Sequence, residues 1–142
     1  MKNNLRPFHV AFPTTNLNAT KEWYTNILNC TIGRSSNKWI DFNFYGHQIV
    51  AHLVEEISQE NNLNIVDDKS IPPRHFGVIL TLNQWKKLSN HLSLHNIDFI
   101  IKPYIRFSNE TGEQYTFFIK DPSGNYLEFK AFENDANIFE SD

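Results

Sequence analysis

Cysteine is almost missing from this chain. Cys30 is the single one in 142 residues. An intramolecular disulfide is therefore excluded, and a reducing, cytoplasmic setting is expected. Nothing near Cys30 in sequence would lower its pKa, so it reads as a small packed residue rather than a nucleophile. Basic runs are also missing. The net charge is -3 and the pI near 6.0, which argues against a nucleic-acid partner. No apolar run is long enough to cross a bilayer, so no membrane span is expected. The opening MKNNLRPFHV carries no long apolar segment, so no secretory leader is expected either.

Aromatic residues are plentiful. Phe alone occurs 12 times, and 40% of the chain is hydrophobic, enough to bury a core in one domain or in two small, closely packed halves. The stretch 116-TFFIKDPSGNYLEFKAF-132 organises the rest. Alternating apolar residues run into an Asp-Pro-Ser-Gly turn and out again, which predicts a β-hairpin. Its second strand carries a lone carboxylate, Glu128, among Tyr, Leu and Phe. Such a carboxylate needs a cation, a hydrogen-bond network or water.

The same pattern occurs twice along the chain. Residues 7–15 alternate, with Phe8, Val10 and Phe12 on one face and His9 and Ala11 on the other. A helix capped by Asn16 or Asn18 follows, carrying Leu17, Trp23, Tyr24, Ile27 and Leu28. Strands are predicted over 31–36, 38–45 and 48–56, with a turn at Gly46-His47. Residues 57–74 are polar, lack a sustained period and end in Pro72-Pro73, and read as a linker. Then come a strand over 75–82 beginning at His75, a helix over 83–96, a strand over 97–107 bulged near Pro103, and the final hairpin. Each half reads β-α-β-β-β, the first over about residues 6–56 and the second over 75–132, with a tail over 133–142.

The repeat suggests partners for Glu128. Two equivalent first strands, each offering a histidine, and a last strand offering Glu128 match a two-His-one-carboxylate set for a divalent metal such as Fe, Mn, Ni, Zn or Co. Taken singly, His9 and His75 are ordinary strand histidines. Their repeat-equivalent placement turns the reading toward a metal site formed by His9, His75 and Glu128. His52 shares strand parity with the residue equivalent to Glu128, Val50, and is a candidate extra ligand or proton carrier. His47 sits on a turn and reads as solvated. His91 and His95, at i and i+4 on a surface helix, are a weaker pair.

These residues resemble a known group. The paired βαβββ pattern, 7-PFHVAF-12, 22-EWYTNILN-29 and above all 121-DPSGNYLEF-129 are similar to the vicinal oxygen chelate superfamily, which includes glyoxalases, fosfomycin- and bleomycin-resistance proteins and extradiol dioxygenases. The resemblance covers about residues 6–132. It implies an α+β fold over a single domain, 1–142, in which two tandem βαβββ modules form an open half-barrel cup. It implies metal ligands at His9, His75 and Glu128, a small-molecule substrate chelated through two neighbouring oxygens, and commonly a homodimer. The His-His-Glu set resembles the dioxygenases, but Phe118 stands where they carry a tyrosine. The reaction is thus open between dioxygenase and lyase or isomerase chemistry. The alternative is a metal-free binding protein of the bleomycin-resistance kind. Arg106, as a binder of an anionic substrate, and Tyr115, as a nearby polar group, are the substrate-binding candidates.

Overall fold

The computed structural model describes residues 4–58 and 63–142. Contacts divide the chain into two compact units, Met1–Ser58 and Gln59–Asp142. Each unit is a βαβββ module, so the α+β duplication expected from the sequence is present.

The first unit comprises β1 (His9–Thr14), α1 (Leu17–Asn26), β2 (Thr31–Ser35), β3 (Trp39–Phe44) and β4 (His47–Leu53), in sheet order β1-β4-β3-β2. β1 pairs in parallel with β4. A parallel pair needs a long crossover, and α1, β2 and β3 supply it. Asn16 caps α1, its side chain accepting the Ala19 N–H at 2.9 Å. Alternation sends Phe12, Phe42 and Phe44 to one face of the sheet, where all three are buried. Tyr24 of α1 is fully buried there, with ring centroids 5.3 Å from Phe12 and 5.1 Å from Phe42. The turn into β4 lies one residue earlier than expected. Tyr45 (φ 53°) and Gly46 (φ 89°) are its left-handed residues, and His47 already belongs to the strand.

The second unit opens with a correction. The stretch read as a linker contains a small hairpin, β5 (Asn64–Val66) and β6 (Lys69–Ile71). Its two turn residues are Asp67 (φ 47°) and Asp68 (φ 65°), a left-handed pair that aspartate tolerates better than most residues. Three-residue strands are too short to show a period, which is why the stretch looked structureless. Ile71 is fully buried against Ile101 and Phe118, with Val66 packed on the same cluster.

The remainder is β7 (Phe76–Thr81), α2 (Leu82–Leu94), β8 (Ile101–Arg106), β9 (Gln114–Lys120) and β10 (Tyr126–Phe132), in order β7-β10-β9-β8. Thr81 and Gln84 form a capping box on α2. Trp85 of α2 packs on Phe117 at 5.5 Å and donates its indole N–H to the Phe129 carbonyl at 2.9 Å. The expected irregularity near Pro103 is a register shift between Ile101 and Tyr104.

The turn between β9 and β10 is tied by one side chain. Asp121, 4% exposed, accepts the N–H groups of Ser123 and Asn125 at 2.9 Å each and the Asn125 side-chain amide at 2.8 Å. Gly124 takes φ 87°, where a side chain would be strained. Asp121→Ala strips a buried anionic acceptor from three donors. We expect a loss of about 2–3 kcal/mol in urea unfolding with the m-value unchanged. A loss below about 0.5 kcal/mol would show that the turn holds without its aspartate.

Candidate functional site

Strand parity decides which residues of the second unit meet. On β10, Leu127, Phe129 and Ala131 are buried on the α2 face. Tyr126, Glu128 and Lys130 take the opposite face. Glu128 lies across from Phe118 of β9 and beside Gly77 of β7. His75, just ahead of β7, reaches the same point: its Nε2 is 3.5 Å from Glu128 Oε1. Gly77 permits the close strand approach. A Cβ there would come 1.5 Å from the Glu128 carbonyl oxygen, an impossible contact.

Each of the two facing side chains is oriented from behind. His75 Nδ1 is 2.8 Å from the Pro72 carbonyl. A carbonyl only accepts, so Nδ1 carries a proton; Nε2 carries the second proton, toward Glu128, when the ring is charged and a lone pair when it is neutral. Glu128 Oε2 accepts from the Thr116 hydroxyl at 2.9 Å, which directs Oε1 toward His75. This is the support that metal-binding imidazoles and carboxylates usually have. Metal bonds of about 2.0–2.2 Å at a tetrahedral angle put nitrogen and oxygen donors about 3.4 Å apart. The 3.5 Å between Nε2 and Oε1 fits that separation. Lys130 Nζ is a second cation, 3.6 Å from Oε1.

The charges follow. The hydrogen bond to Glu128 raises the His75 pKa from its ordinary 6.5, against the effect of burial. Burial pushes Glu128 up from its ordinary 4.5, but the contacts with His75, Lys130 and Thr116 outweigh it and leave the carboxyl lowered.

In the first unit, His9 begins β1 with Nδ1 2.9 Å from Gln48 Oε1, while Gln48 Nε2 donates to Asp41 Oδ2 at 3.2 Å. Asp41 accepts from the Gln48 amide nitrogen, so the amide oxygen faces His9 and Nδ1 is the donor. The lone pair again lies on Nε2. Val50 takes the register position that Glu128 takes in the second unit: it lies across from Asp41 and beside Ala11. His52 is exposed on the same face as His9, across from Trp39. His47 is not merely solvated; its Nδ1 accepts the Phe8 N–H at 2.8 Å.

Among the described residues, no three His, Cys, Asp or Glu side chains converge on one point. The pair His75–Glu128 is what the second unit provides. Two expectations change. Tyr115 lies opposite Ala131 and packs on Trp85 at 5.5 Å, so it faces α2 and is turned away from Glu128. One residue of parity separates it from Thr116, which does face the carboxylate. Arg106 is on the Glu128 face but is engaged: its Nε lies 3.6 Å from Asp67 Oδ2. The His91 and His95 rings are 4.2 Å apart on α2. Cys30 is buried, which pushes its thiol up to about 12 and leaves it inert. Lys130, Thr116, Gln48 and Gly77 were missed. Lys130 was readable as i+2 from Glu128; the others need the strand register.

The His75–Glu128 pair predicts a pH window for the metal-free protein. A raised histidine stabilises fully below pH 6.5 and loses its contribution as pH rises through its folded-state pKa, above 6.5. A lowered glutamate stabilises fully above pH 4.5 and loses its contribution as pH falls through its folded-state pKa, below 4.5. The pair thus contributes most between pH 4.5 and 6.5. Chemical unfolding of wild type and His75→Gln across pH 3–9 should show the largest difference in that window. A difference that is flat with pH would contradict the pairing.

The comparisons agree with this architecture. The family model described as Glyoxalase/Bleomycin resistance protein/Dioxygenase superfamily matches residues 6–129. No curated protein matches the chain. Among solved structures, a glyoxalase/bleomycin resistance protein/dioxygenase from Alicyclobacillus acidocaldarius is similar at 30% identity and TM-score 0.80, over 98% of this chain and 100% of that one. The fosfomycin resistance protein FosX from Listeria monocytogenes shares the fold at 15% identity and TM-score 0.67, over 98% and 100%. Lactoylglutathione lyase from Agrobacterium tumefaciens does so at 15% and 0.65, over 93% and 97%. With a family match across most of its length and the duplicated βαβββ module in each unit, the chain belongs to the glyoxalase/bleomycin resistance protein/dioxygenase superfamily.

Proposed function

We propose that this protein is a divalent-metal-dependent enzyme acting on a small molecule, with His75 and Glu128 as metal ligands in the second unit and His9 as the corresponding candidate ligand in the first. One observation carries the reading. In each unit the histidine at, or just ahead of, the first strand has Nδ1 engaged, so that the neutral ring presents its Nε2 lone pair, and in the second unit Glu128 Oε1 lies 3.5 Å from that Nε2. A bound divalent metal would act as a Lewis acid on a substrate offering two neighbouring oxygens. The chain's own groups hold the ligands in place. Pro72 fixes the His75 tautomer, Gln48 does the same for His9, and Thr116 turns the Glu128 carboxylate. Lys130 adds positive charge beside Glu128, suited to an anionic oxygen on the substrate. His52 remains the candidate for a proton carrier on the His9 face. The buried lone cysteine supports a cytoplasmic location, and superfamily practice supports a homodimer.

Lys130 also favours a second reading, a metal-free small-molecule binder. Together with a protonated His75 it would neutralise Glu128 without any metal.

Protein purified without chelator should carry about one divalent metal per chain. Glu128→Ala and His75→Ala should each lower metal content at least tenfold, and Thr116→Val should weaken affinity by about tenfold through its supporting bond. Chelator should lower the wild-type melting temperature and leave Glu128→Ala unchanged. Elemental analysis and thermal melts check this. A metal-free wild type whose melting ignores both chelator and added metal would contradict the metal proposal, and a ligand-induced melting shift insensitive to chelator would favour the second reading.

A further inference from the structure

The inner face of the second sheet holds polar atoms that the metal reading does not use. Gln114 is 8% exposed. Its Nε2 donates to the Gly112 carbonyl at 3.3 Å, but among the described residues its Oε1 is buried without a partner. The Tyr104 hydroxyl is likewise buried and unpartnered among the described residues. Buried polar atoms are nearly always satisfied, so two on neighbouring strands call for an explanation. The register sets Tyr104 across from Thr116 and Arg106 across from Gln114, where side chains lie roughly 5 Å apart at Cβ. All four share the face of Glu128, since Thr116 holds that carboxylate.

The hairpin β5–β6 lies over these residues. Tyr104 packs against the cluster containing Ile71, and Arg106 Nε meets Asp67 Oδ2 of the hairpin turn at 3.6 Å. That distance is longer than a hydrogen bond. The guanidinium, stacked 4.6 Å from the Phe107 ring, keeps its forked N–H donors for a better-placed carboxylate.

We propose that Arg106, Tyr104 and Gln114 form a subsite for a small hydroxycarboxylate, and that Asp67 is a built-in carboxylate that occupies Arg106 until such a ligand displaces it. The chemistry assigns the groups. Arg106 and the Tyr104 O–H donate to the carboxylate. Gln114 Oε1 can only accept, so it takes the ligand hydroxyl. The hairpin then acts as a latch whose ion pair is exchanged for the ligand. That this ligand is the substrate rests on the metal reading, but its binding does not.

Glycolate is the probe, titrated into the full chain carrying Glu128→Gln, so that a metal held through Glu128 contributes nothing. The side-chain amide of Gln114 is followed by NMR. Saturable shifts are expected. Asp67→Asn should tighten the apparent Kd by about tenfold or more, because the competing internal carboxylate is gone. Arg106→Gln should abolish binding. Tyr104→Phe should weaken it at least about fivefold with no loss of thermal stability, since the hydroxyl has no partner in the protein to lose. Acetate, lacking the hydroxyl, should bind more weakly than glycolate. Absence of binding in the Asp67→Asn chain, unchanged affinity on removing Asp67, or full binding by Arg106→Gln would each overturn the proposal. None of these outcomes depends on whether the wild type holds metal.

Discussion

The chemistry of the second module depends on how closely β7 lies against β10. Parallel pairing sets Gly77 beside Glu128, and the two backbones approach so closely that no side chain fits at Gly77. Nothing within β10 alone would bring a histidine to its carboxylate. The crossover through α2, β8 and β9 returns the chain beside its own first strand, and the missing Cβ lets the two strands close. His75 and Glu128 come together as a consequence of sheet topology. The buried face behind them, with Trp85, Phe117 and Phe129 in contact, makes that topology stable.

Support from behind gives the pair its chemical meaning. A carboxylate and an imidazole at 3.5 Å could be an ordinary ion pair. What argues for more is that each atom pointing away from the contact is already committed, to the Pro72 carbonyl and to the Thr116 hydroxyl. The first module repeats the device with other residues, Gln48 replacing a backbone carbonyl as the acceptor for His9 Nδ1. Two modules that diverge in sequence but both commit Nδ1 of the histidine suggest that its Nε2 matters. Proton and metal compete for it, so metal affinity should rise with pH as His75 loses its proton.

Much of this was legible from residues alone. The alternation of 38–45 and 116–132, the helix cap at Asn16, and the Asp-Pro-Ser-Gly turn are local, and the structure follows them. Glu128 stood out because a carboxylate on an aromatic strand is expensive to bury. The β5–β6 hairpin was hidden because three-residue strands carry no period and its turn uses Asp-Asp rather than glycine. Tyr115 was misjudged for a different reason: nearness in sequence ignores parity, and one position along β9 exchanges the two faces. Gln48 and Gly77 act through cross-strand register, which a single sequence does not print.

The proposed working partner of Glu128 is a divalent metal, in place of a proton or Lys130. A crystal of the full chain grown without chelator, measured on both sides of the absorption edge of its bound metal, tests this directly. An anomalous peak within bonding distance of His75 Nε2 and Glu128 Oε1 is the expected result. A well-ordered site with no anomalous signal and Lys130 Nζ hydrogen-bonded to Glu128 Oε1 would contradict it.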